Sequence, residues 1–561
     1  MKHMILLKKL SVLMVVLVFA ASSGFSQSNN NFEVSKNLDI YATLIKELNT
    51  NYVDDINVGE LTKTGIDAML KSLDPYTVYI SEAEVEDYKF ITTGQYGGIG
   101  ALIQKQGKKM VIAEPYEGNP AQSSGLKAGD EILEVDGKSV SGMNTDDVST
   151  LLKGQPGTSV TILIKRPGTD EPISKELERK NVKIDNIPFY GMVSDHVGYI
   201  KLSGFTQHAG KEVKDAFLEL RDNNDLSGII IDLRGNGGGL LQEAVSITNI
   251  FVPKGEVVVS TKGKLSSKNY TYKTSDQAVD TDIPLAILVD NSSASASEIV
   301  AGAIQDHDRG VIVGHQTFGK GLVQNVIPLT YNSQAKITVA KYYIPSGRCI
   351  QEIDYSKKDA NGHSIKAPDS IADAYKTKNG RVVYDRHGIE PDIVMDGDTL
   401  SKISYTLLMK HLFFNFATQF ALENESIPPP DQFEVTDDIY SEFVDYITEE
   451  GYEYTTKSEE ALEMLKNYAK DEHYFENISE DFETLEAKIQ KNKKDDVSQH
   501  KDEIKKILKI EIVSRYYYQK GKIIASLNED PVIDRAIDVI GSKDTYVAIL
   551  DGSNEGKSKT N

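Results

Sequence analysis

The sequence predicts an α/β core that follows a small β-rich domain and is flanked by helical N- and C-terminal regions. From about residue 195, buried runs such as "GIIID" and "LAILVD" alternate with helical segments, which is typical of parallel strands covered by helices. Residues 91–170 contain short strand patterns separated by glycine-rich turns, which indicates a compact β domain. Helical spacing of apolar residues marks the flanking regions 27–90 and 398–550.

Composition and charge exclude one class of function. The 561 residues are 40% hydrophobic and 26% charged, as in ordinary globular proteins. The formal net charge of −22 argues against nucleic-acid binding, because such binding depends on cationic contacts to phosphate. The single cysteine, Cys349, cannot form an intrachain disulfide, and we interpret it as a packing residue.

The N-terminus has the pattern of a secretory signal peptide over residues 1–26. Lys2, Lys8 and Lys9 precede a short apolar run at 10–21, and small residues follow the run. The run is shorter than the roughly 20 residues that a membrane-spanning helix needs. We therefore expect a periplasmic or otherwise exported protein, with an uncleaved N-terminal membrane anchor as the alternative. At the other end, the sequence predicts a disordered tail over 551–561.

The segment "NSSASASEIVAG", residues 291–302, contains the candidate nucleophile. Its serines lie between a buried strand and a helix, at the carboxyl end of the strand, where open α/β sheets place their sites. The N-terminus of a helix favours ionisation of a hydroxyl, although a serine at this point can equally be a helix cap. A nucleophilic serine also needs a base. His307 would give a Ser-His-Asp arrangement, and Lys320 would give a serine–lysine pair.

Lys320 lies in the turn "GHQTFGKG", residues 314–321, followed by the apolar residues Leu322 and Val323. A lysine that acts as a base has to be neutral, which requires a pKa near 7 instead of about 10.4, and burial among apolar groups lowers the pKa of a lysine. The turn nearly matches a phosphate-binding loop. However, Gly321 replaces the hydroxyl that would hold magnesium, and a strand pattern follows, so we do not expect nucleotide binding.

A second glycine-rich segment, "DLRGNGGG" at 232–239, follows the strand "GIIID". Its glycines allow several backbone amides to converge on one point. This pattern indicates an anion or oxyanion site, and the alternative is a tight turn between a strand and a helix without a ligand.

Together these segments resemble the carboxyl-terminal processing (tail-specific) serine proteases. The resemblance rests on "SASASEIVAGAIQDHDRGVIVGHQTFGKGLVQ", on "DLRGNGGG" and on "GLKAGDEILEVDGKSV", and it covers about residues 40–395. It implies a crotonase/Clp-protease-like α/β spiral core over 185–397 with an inserted PDZ β-barrel domain. The C-terminal 160 residues match no functional motif of the family.

The resemblance also implies roles for individual residues. Ser295 would be the nucleophile, Lys320 the base and Gln324 the residue that orients the lysine. Asp306 matches an aspartate that supports the site in some members of the family. The mechanism needs neither a metal nor another cofactor.

The oxyanion donors implied by the resemblance are the amide of Ala296 and one amide from Gly238 or Gly239. The sequence does not choose between the two glycines. Gly235 stands where the family often has asparagine, which changes the flexibility of the loop but not its backbone donors.

The PDZ resemblance explains how such an enzyme would select its substrates. PDZ domains add an extended peptide to the edge of a sheet and hold its terminal carboxylate in a nest of backbone amides. In "YGGIGALI", the amides would come from Gly98, Ile99 and Gly100, and Leu102 would line the pocket for the last side chain. We therefore expect substrates with free, apolar C-termini, and an adaptor or a second copy bound through the helical regions. The alternative to a protease is a catalytically inactive PDZ scaffold.

Overall fold

The computed structural model describes residues 31–359, 362–366, 372–395, 397, 400–452 and 454–553. The predicted signal peptide, and the predicted tail from residue 554 onward, lie outside the described residues. The chain divides into two compact units, one formed by residues 1–81 with 324–338 and the other by 82–323 with 339–561. Within the described ranges, no helix is both long enough and apolar enough to cross a membrane.

The described part of the first unit contains two helices, α1 (31–51) and α2 (Val58–Lys71), followed by the short strand β1 (Val78–Ile80). The side chain of Asn57 caps α2 by accepting hydrogen bonds from the first amides of the helix. Strand β1 pairs antiparallel with the Gln334–Lys336 end of a later strand, β18 (Gln334–Tyr343).

The second unit starts with the β domain. Its elements are α3 (Val85–Thr93), β2 (Gln95–Gly98), β3 (Ala101–Gln106), β4 (Lys109–Pro115), α4 (Pro120–Ser123), β5 (Glu131–Val135), β6 (Lys138–Ser139), α5 (Thr145–Leu152), β7 (Ser159–Lys165), β8 (Ile173–Glu178) and β9 (Lys180–Lys183). The main sheet has the order β3-β4-β5-β7-β8, so β3 is an edge strand. Because β8 belongs to this sheet, the sheet continues beyond the predicted domain boundary at residue 170.

The α/β core follows. Its elements are β10 (Phe189–Met192), β11 (Val197–Lys201), α6 (Ala209–Asn223), β12 (Gly228–Asp232), α7 (Leu241–Phe251), β13 (Val257–Gly263), β14 (Tyr270–Lys273), β15 (Leu285–Val289), α8 (Ala296–Asp306), β16 (Val311–Gly314), β17 (Leu322–Pro328), β18, β19 (Ile353–Lys358), β20 (Ser364–Lys366), β21 (Ala374–Lys376), β22 (Val382–Tyr384) and β23 (Ile393–Val394). The central sheet has the order β10-β11-β12-β15-β16-β23, and only the β10–β11 pair is antiparallel.

Helices cover both faces of the central sheet, which explains why its strands consist almost entirely of apolar residues. Side chains alternate along β12: Ile229 and Ile231 join the cluster formed with α6, α7 and α8, whereas Ile230 points to the other face. That second face is covered by α15 (Pro531–Gly541), near the end of the chain. The C-terminal region therefore contributes α15 to the core of this unit, whereas most of the rest of the region is a separate helical layer.

The remaining helices are α9 (Lys402–Met409), α10 (Leu412–Glu423), α11 (Asp437–Glu449), α12 (Lys457–Asp471), α13 (Phe475–Gln499), α14 (Lys501–Leu527) and α16 (Lys543–Leu550). The apolar run at 403–422 predicts one helix, but the chain forms two helices there. His411 has a left-handed φ of 59°, which ends the first helix and starts the second. The predicted fold class, an α/β core with a preceding β domain and helical terminal regions, is confirmed.

Candidate active site

Two loops meet at the carboxyl edge of the central sheet. The glycine loop (233–240) follows β12 and the serine turn (290–295) follows β15, and these two strands are parallel neighbours. The Gly235 amide donates to both carboxylate oxygens of Asp290 at 3.0 Å. The Ala294 amide donates to the Asn236 carbonyl at 3.1 Å. The position of one loop therefore fixes the position of the other.

Ser295 is the residue that this turn presents. It is the N-cap of α8 and has φ 57° and ψ −111°, a sparsely populated conformation for a residue with a side chain. Two neighbouring hydroxyls are buried and bonded to the glycine loop: Ser293 Oγ donates to the Leu233 carbonyl at 2.9 Å, and Ser297 Oγ donates to the Asn236 carbonyl at 2.8 Å. These two serines therefore hold the turn, whereas Ser295 between them is partly exposed.

A buried carboxylate connects Ser295 with Lys320. Glu298 Oε2 accepts the amide proton of Ser295 at 2.8 Å and the amide proton of Lys320 at 2.9 Å. Its other oxygen, Oε1, accepts the Thr317 hydroxyl at 2.6 Å and the Gly319 amide at 2.7 Å. The backbones of the predicted nucleophile and of the predicted base are thus bonded to one oxygen atom.

Glu298 is a site residue that the sequence analysis missed. The sequence did contain a signal for Glu298, the capping-box spacing S-x-x-E. In a capping box the glutamate side chain accepts a hydrogen bond from the backbone amide of the N-cap residue. The spacing identifies the contact with Ser295. It does not identify the contacts with Thr317, Gly319 and Lys320, which depend on how the turn at 314–321 packs against α8.

Burial raises the pKa of the Glu298 carboxyl to about 7, while its four hydrogen-bond donors favour the ionised form and limit the rise. The folded-state pKa is above the ordinary value of 4.5, so the protonated carboxyl contributes stability that is fully present below pH 4.5 and is lost as the pH rises through about 7. All four hydrogen-bond partners of the Glu298 carboxylate are donors. A proton on the carboxyl group would therefore face another donor instead of an acceptor. We therefore expect the geometry around Ser295 and Lys320 to depend on pH near neutrality.

Replacing Thr317 with valine should shift the acidic limb of the pH–activity profile to higher pH. The substitution removes the Thr317 hydroxyl, whose hydrogen bond is the largest of the effects that lower the pKa of Glu298. Thr317→Ser keeps the hydroxyl and should leave the limb in place. The measurement is kcat/KM between pH 5 and 9 for the peptide cleavage that the family resemblance implies. If the acidic limb does not move in Thr317→Val, Glu298 does not control it.

The two predicted oxyanion glycines, Gly238 and Gly239, differ in their hydrogen bonds. Gly238 (φ 97°) lies so close to the serine turn that a Cβ would be 2.6 Å from the Ala294 carbonyl oxygen and 2.9 Å from the Ala296 nitrogen. Its own amide donates to Asn236 Oδ1 at 2.9 Å. Among the residues that the structure describes, the amides of Ala296 and Gly239 donate to no protein group. They are therefore free to bind an oxyanion, whereas the Gly238 amide is occupied.

The two predicted residues at the far end of α8 do not meet Ser295. His307 follows the last residue of the helix, eleven residues from its start, which corresponds to about 16 Å. Its Nε2 lies 2.7 Å from the Val257 carbonyl oxygen. Asp306 is buried and pairs with the buried guanidinium of Arg348 at 3.0 Å. A Ser-His-Asp arrangement with His307 is therefore not formed. Asp306 instead takes part in a buried ion pair within the fold.

Gln324 belongs to the first unit, whereas Ser295 and Lys320 belong to the second. In β17, the Gln324 side-chain amide donates to the Thr338 hydroxyl at 3.2 Å. Across the described ranges, no group of three or more His, Cys, Asp or Glu side chains is arranged to hold a metal ion.

The predicted carboxylate loop leads directly into the edge strand β3. The carbonyls of Ile99 and Gly100 accept hydrogen bonds from the amides of Ala121 and Tyr116, each at 2.8 Å. Within the described part of the chain, the amides of Ile99 and Gly100 donate to no protein group. Gly98 ends strand β2, which pairs with β9.

Leu102 is the second residue of β3 and is 50% exposed. Helix α5 packs next to β3, and its buried side chains form an apolar surface beside this strand. The arrangement combines an open strand edge, unoccupied amides and an exposed apolar side chain.

Comparisons with known proteins assign parts of the chain to protein families. Residues 196–358 match the profile of peptidase family S41, and residues 111–166 match a PDZ domain. Residues 403–540 match a domain described as "Probable PDZ-protease, C-terminal helical domain".

Curated relatives carry related names. A "Carboxy-terminal-processing protease" of Bartonella bacilliformis is 35% identical over 329 residues, which are 58% of this chain and 75% of the relative. A "Probable CtpA-like serine protease" of Staphylococcus aureus is 31% identical over 443 residues, which are 77% of this chain and 85% of the relative. Among solved structures, a photosystem II D1 C-terminal processing protease is 27% identical, covers 64% of this chain and 88% of its own, and gives a TM-score of 0.36.

Proposed function

Since the chain belongs to peptidase family S41, as a carboxy-terminal-processing serine protease with a PDZ domain, we propose that it cleaves peptide bonds with Ser295 as nucleophile and Lys320 as base. The observation that carries this proposal is the Glu298 carboxylate, which bonds the backbone amides of both residues. It provides a rigid connection between two turns that lie 25 residues apart in sequence.

The proposed reaction proceeds through an acyl-enzyme. Neutral Lys320 accepts the proton of Ser295 as Oγ attacks the scissile carbonyl carbon, and the carbonyl oxygen becomes an oxyanion. The amide of Ala296 stabilises that charge, and we assign the second donor to Gly239 because the Gly238 amide is already used. Lys320 then passes the proton to the leaving amine, and water releases the acyl group.

The PDZ domain is proposed to select substrates by their C-terminal tails. An extended tail would pair with the open edge of β3, and its carboxylate would be bound by the amides of Ile99 and Gly100, with Gly98 at the start of the loop. The exposed side chain of Leu102 favours an apolar last residue. Catalysis and tail recognition therefore use different parts of the same unit.

Amidating the C-terminus of a peptide substrate should lower kcat/KM by about tenfold or more, because the loss of a buried charge-assisted contact costs about 1.5–3 kcal/mol. The experiment compares two peptides of identical sequence with an apolar last residue, one a free acid and one an amide. Leu102→Asp should weaken cleavage of the free acid through repulsion of its carboxylate. If the acid and the amide are cleaved equally well, tail capture by the PDZ domain is wrong.

Export is proposed on the N-terminal pattern of lysines and apolar residues described above. We also propose that a second copy or an adaptor binds through the helical regions. Helix α1 supports this proposal, since its apolar side chains Phe32, Leu38, Ile40 and Leu44 are each more than half exposed.

A further inference from the structure

Tyr342 contacts both the segment that contains Ser295 and the segment that contains Lys320, although it lies far from each in sequence. It is a residue of β18, in the part of the strand that belongs to the same unit as the active site, and its side chain is 1% exposed. Its hydroxyl donates to the Ser295 carbonyl at 3.1 Å, and its backbone amide donates to the carbonyl of Gly321, next to Lys320, at 2.9 Å. No expectation from the sequence included this residue.

The hydroxyl acts on the peptide group that contains the proposed oxyanion donor. The Ser295 carbonyl and the Ala296 amide belong to one planar trans peptide unit, so the two groups point in opposite directions. A bond that fixes the carbonyl therefore also fixes the direction of the Ala296 N–H. Donation to the carbonyl oxygen in addition polarises the peptide and strengthens its N–H as a donor.

Two further features favour this role. Burial raises the pKa of the Tyr342 hydroxyl well above 10, so the group remains a donor at every pH at which the enzyme works. The conformation of Ser295 (φ 57°) is one that the chain adopts only when surrounding contacts hold it. The Tyr342 hydroxyl supplies one of these contacts on the carbonyl side, where the Ile299 amide supplies another at 3.0 Å.

We propose that Tyr342 is a positioning residue that orients the Ser295–Ala296 peptide, so that the Ala296 amide faces the oxyanion formed during peptide cleavage. The proposal rests on Ser295 as the nucleophile. It assigns to Tyr342 an effect on the tetrahedral state and none on the binding of the uncleaved substrate, because the oxyanion is absent from the ground state.

Tyr342→Phe tests this role with little risk to the fold. The ring keeps its packing, the backbone bond to Gly321 does not depend on the hydroxyl, and the Ser295 carbonyl keeps its bond to Ile299. Tyr343→Phe is the matched control, since it makes the same chemical change at the next residue, whose ring contacts the ammonium of Lys262 at 4.2 Å.

The probes are a peptide aldehyde and the corresponding peptide alcohol. With the aldehyde, Ser295 Oγ bonds to the carbonyl carbon, the carbonyl electron pair moves onto oxygen and the serine proton passes to Lys320. The alcohol has no carbonyl and reports ground-state binding only. For Tyr342→Phe we expect aldehyde affinity and kcat each to fall about tenfold, with alcohol affinity and KM unchanged, as for a weakened oxyanion donor.

Unchanged aldehyde affinity in Tyr342→Phe, or an equal fall for aldehyde and alcohol, would overturn the positioning role while leaving the catalytic serine intact. The same loss in Tyr343→Phe would overturn it as well. If Ser295→Ala retains cleavage and aldehyde binding, then the proposed nucleophile is wrong, and the role of Tyr342 falls with it.

Discussion

Replacing Lys320 with alanine should lower kcat for peptide cleavage by at least about a thousandfold, because the proposed nucleophile then has no base. The fold should survive, since the bond from residue 320 to Glu298 uses the backbone amide and not the side chain. Kinetics with a free-acid tail peptide measure the loss, and a thermal melt checks that the protein remains folded.

Two variants sharpen this prediction. Lys320→Arg keeps a long cationic side chain that stays protonated, so it should be as inactive as alanine. His307→Ala should retain activity within about twofold, because His307 lies at the opposite end of α8 from Ser295. Activity in Lys320→Ala, or its loss in His307→Ala, would exclude the serine–lysine pair.

Replacing Gly238 with alanine should lower activity at least about a hundredfold. A Cβ at this position would lie 2.6 Å from the Ala294 carbonyl oxygen and 2.9 Å from Ser295 Cβ, and φ is 97°, so both sterics and backbone strain displace the nucleophile. The atoms that it meets belong to the backbone and to Cβ of the serine turn, which cannot move aside like the end of a long side chain.

Gly237→Ala is the matched control in the same loop. A Cβ there meets nothing within 4 Å, and the residue does not have a left-handed φ, so activity should remain within about twofold. The test compares the activities of Gly238→Ala and Gly237→Ala with the same peptide substrate. Equal losses would show that the loop tolerates no substitution at all, and a fully active Gly238→Ala would contradict the close approach of the two loops.

The sequence predicted the arrangement of the core from local patterns that are strong. The apolar runs of β12 and β15 predicted buried parallel strands, with the serine turn at the carboxyl end of its strand. That the two strands are neighbours, so that the turns after them meet, is seen only in the structure. The resemblance then selected one serine and one lysine. Each of these inferences depends on residues that are close in sequence or on a motif with fixed spacing.

Contacts over long sequence distances could not be predicted in this way. Tyr342 bonds the carbonyl of Ser295 across 47 residues, and nothing in its local sequence distinguishes it from Tyr343. Arg234 of the glycine loop pairs with Asp530, the N-cap of α15, at 2.9 Å. The helices of the C-terminal region were predicted, but the packing of α15 on the core depends on tertiary contacts that a single sequence does not show.

The most direct test of the central claim is to identify the residue that forms the covalent enzyme intermediate. The protein is treated with a fluorophosphonate, which reacts with activated serines, and the modified peptide is located by mass spectrometry. We expect one modification on Ser295, lost in Lys320→Ala and unchanged in His307→Ala. Modification of Ser292, Ser293 or Ser297 instead, or undiminished labelling of Ser295 in Lys320→Ala, would contradict the assignment of nucleophile and base.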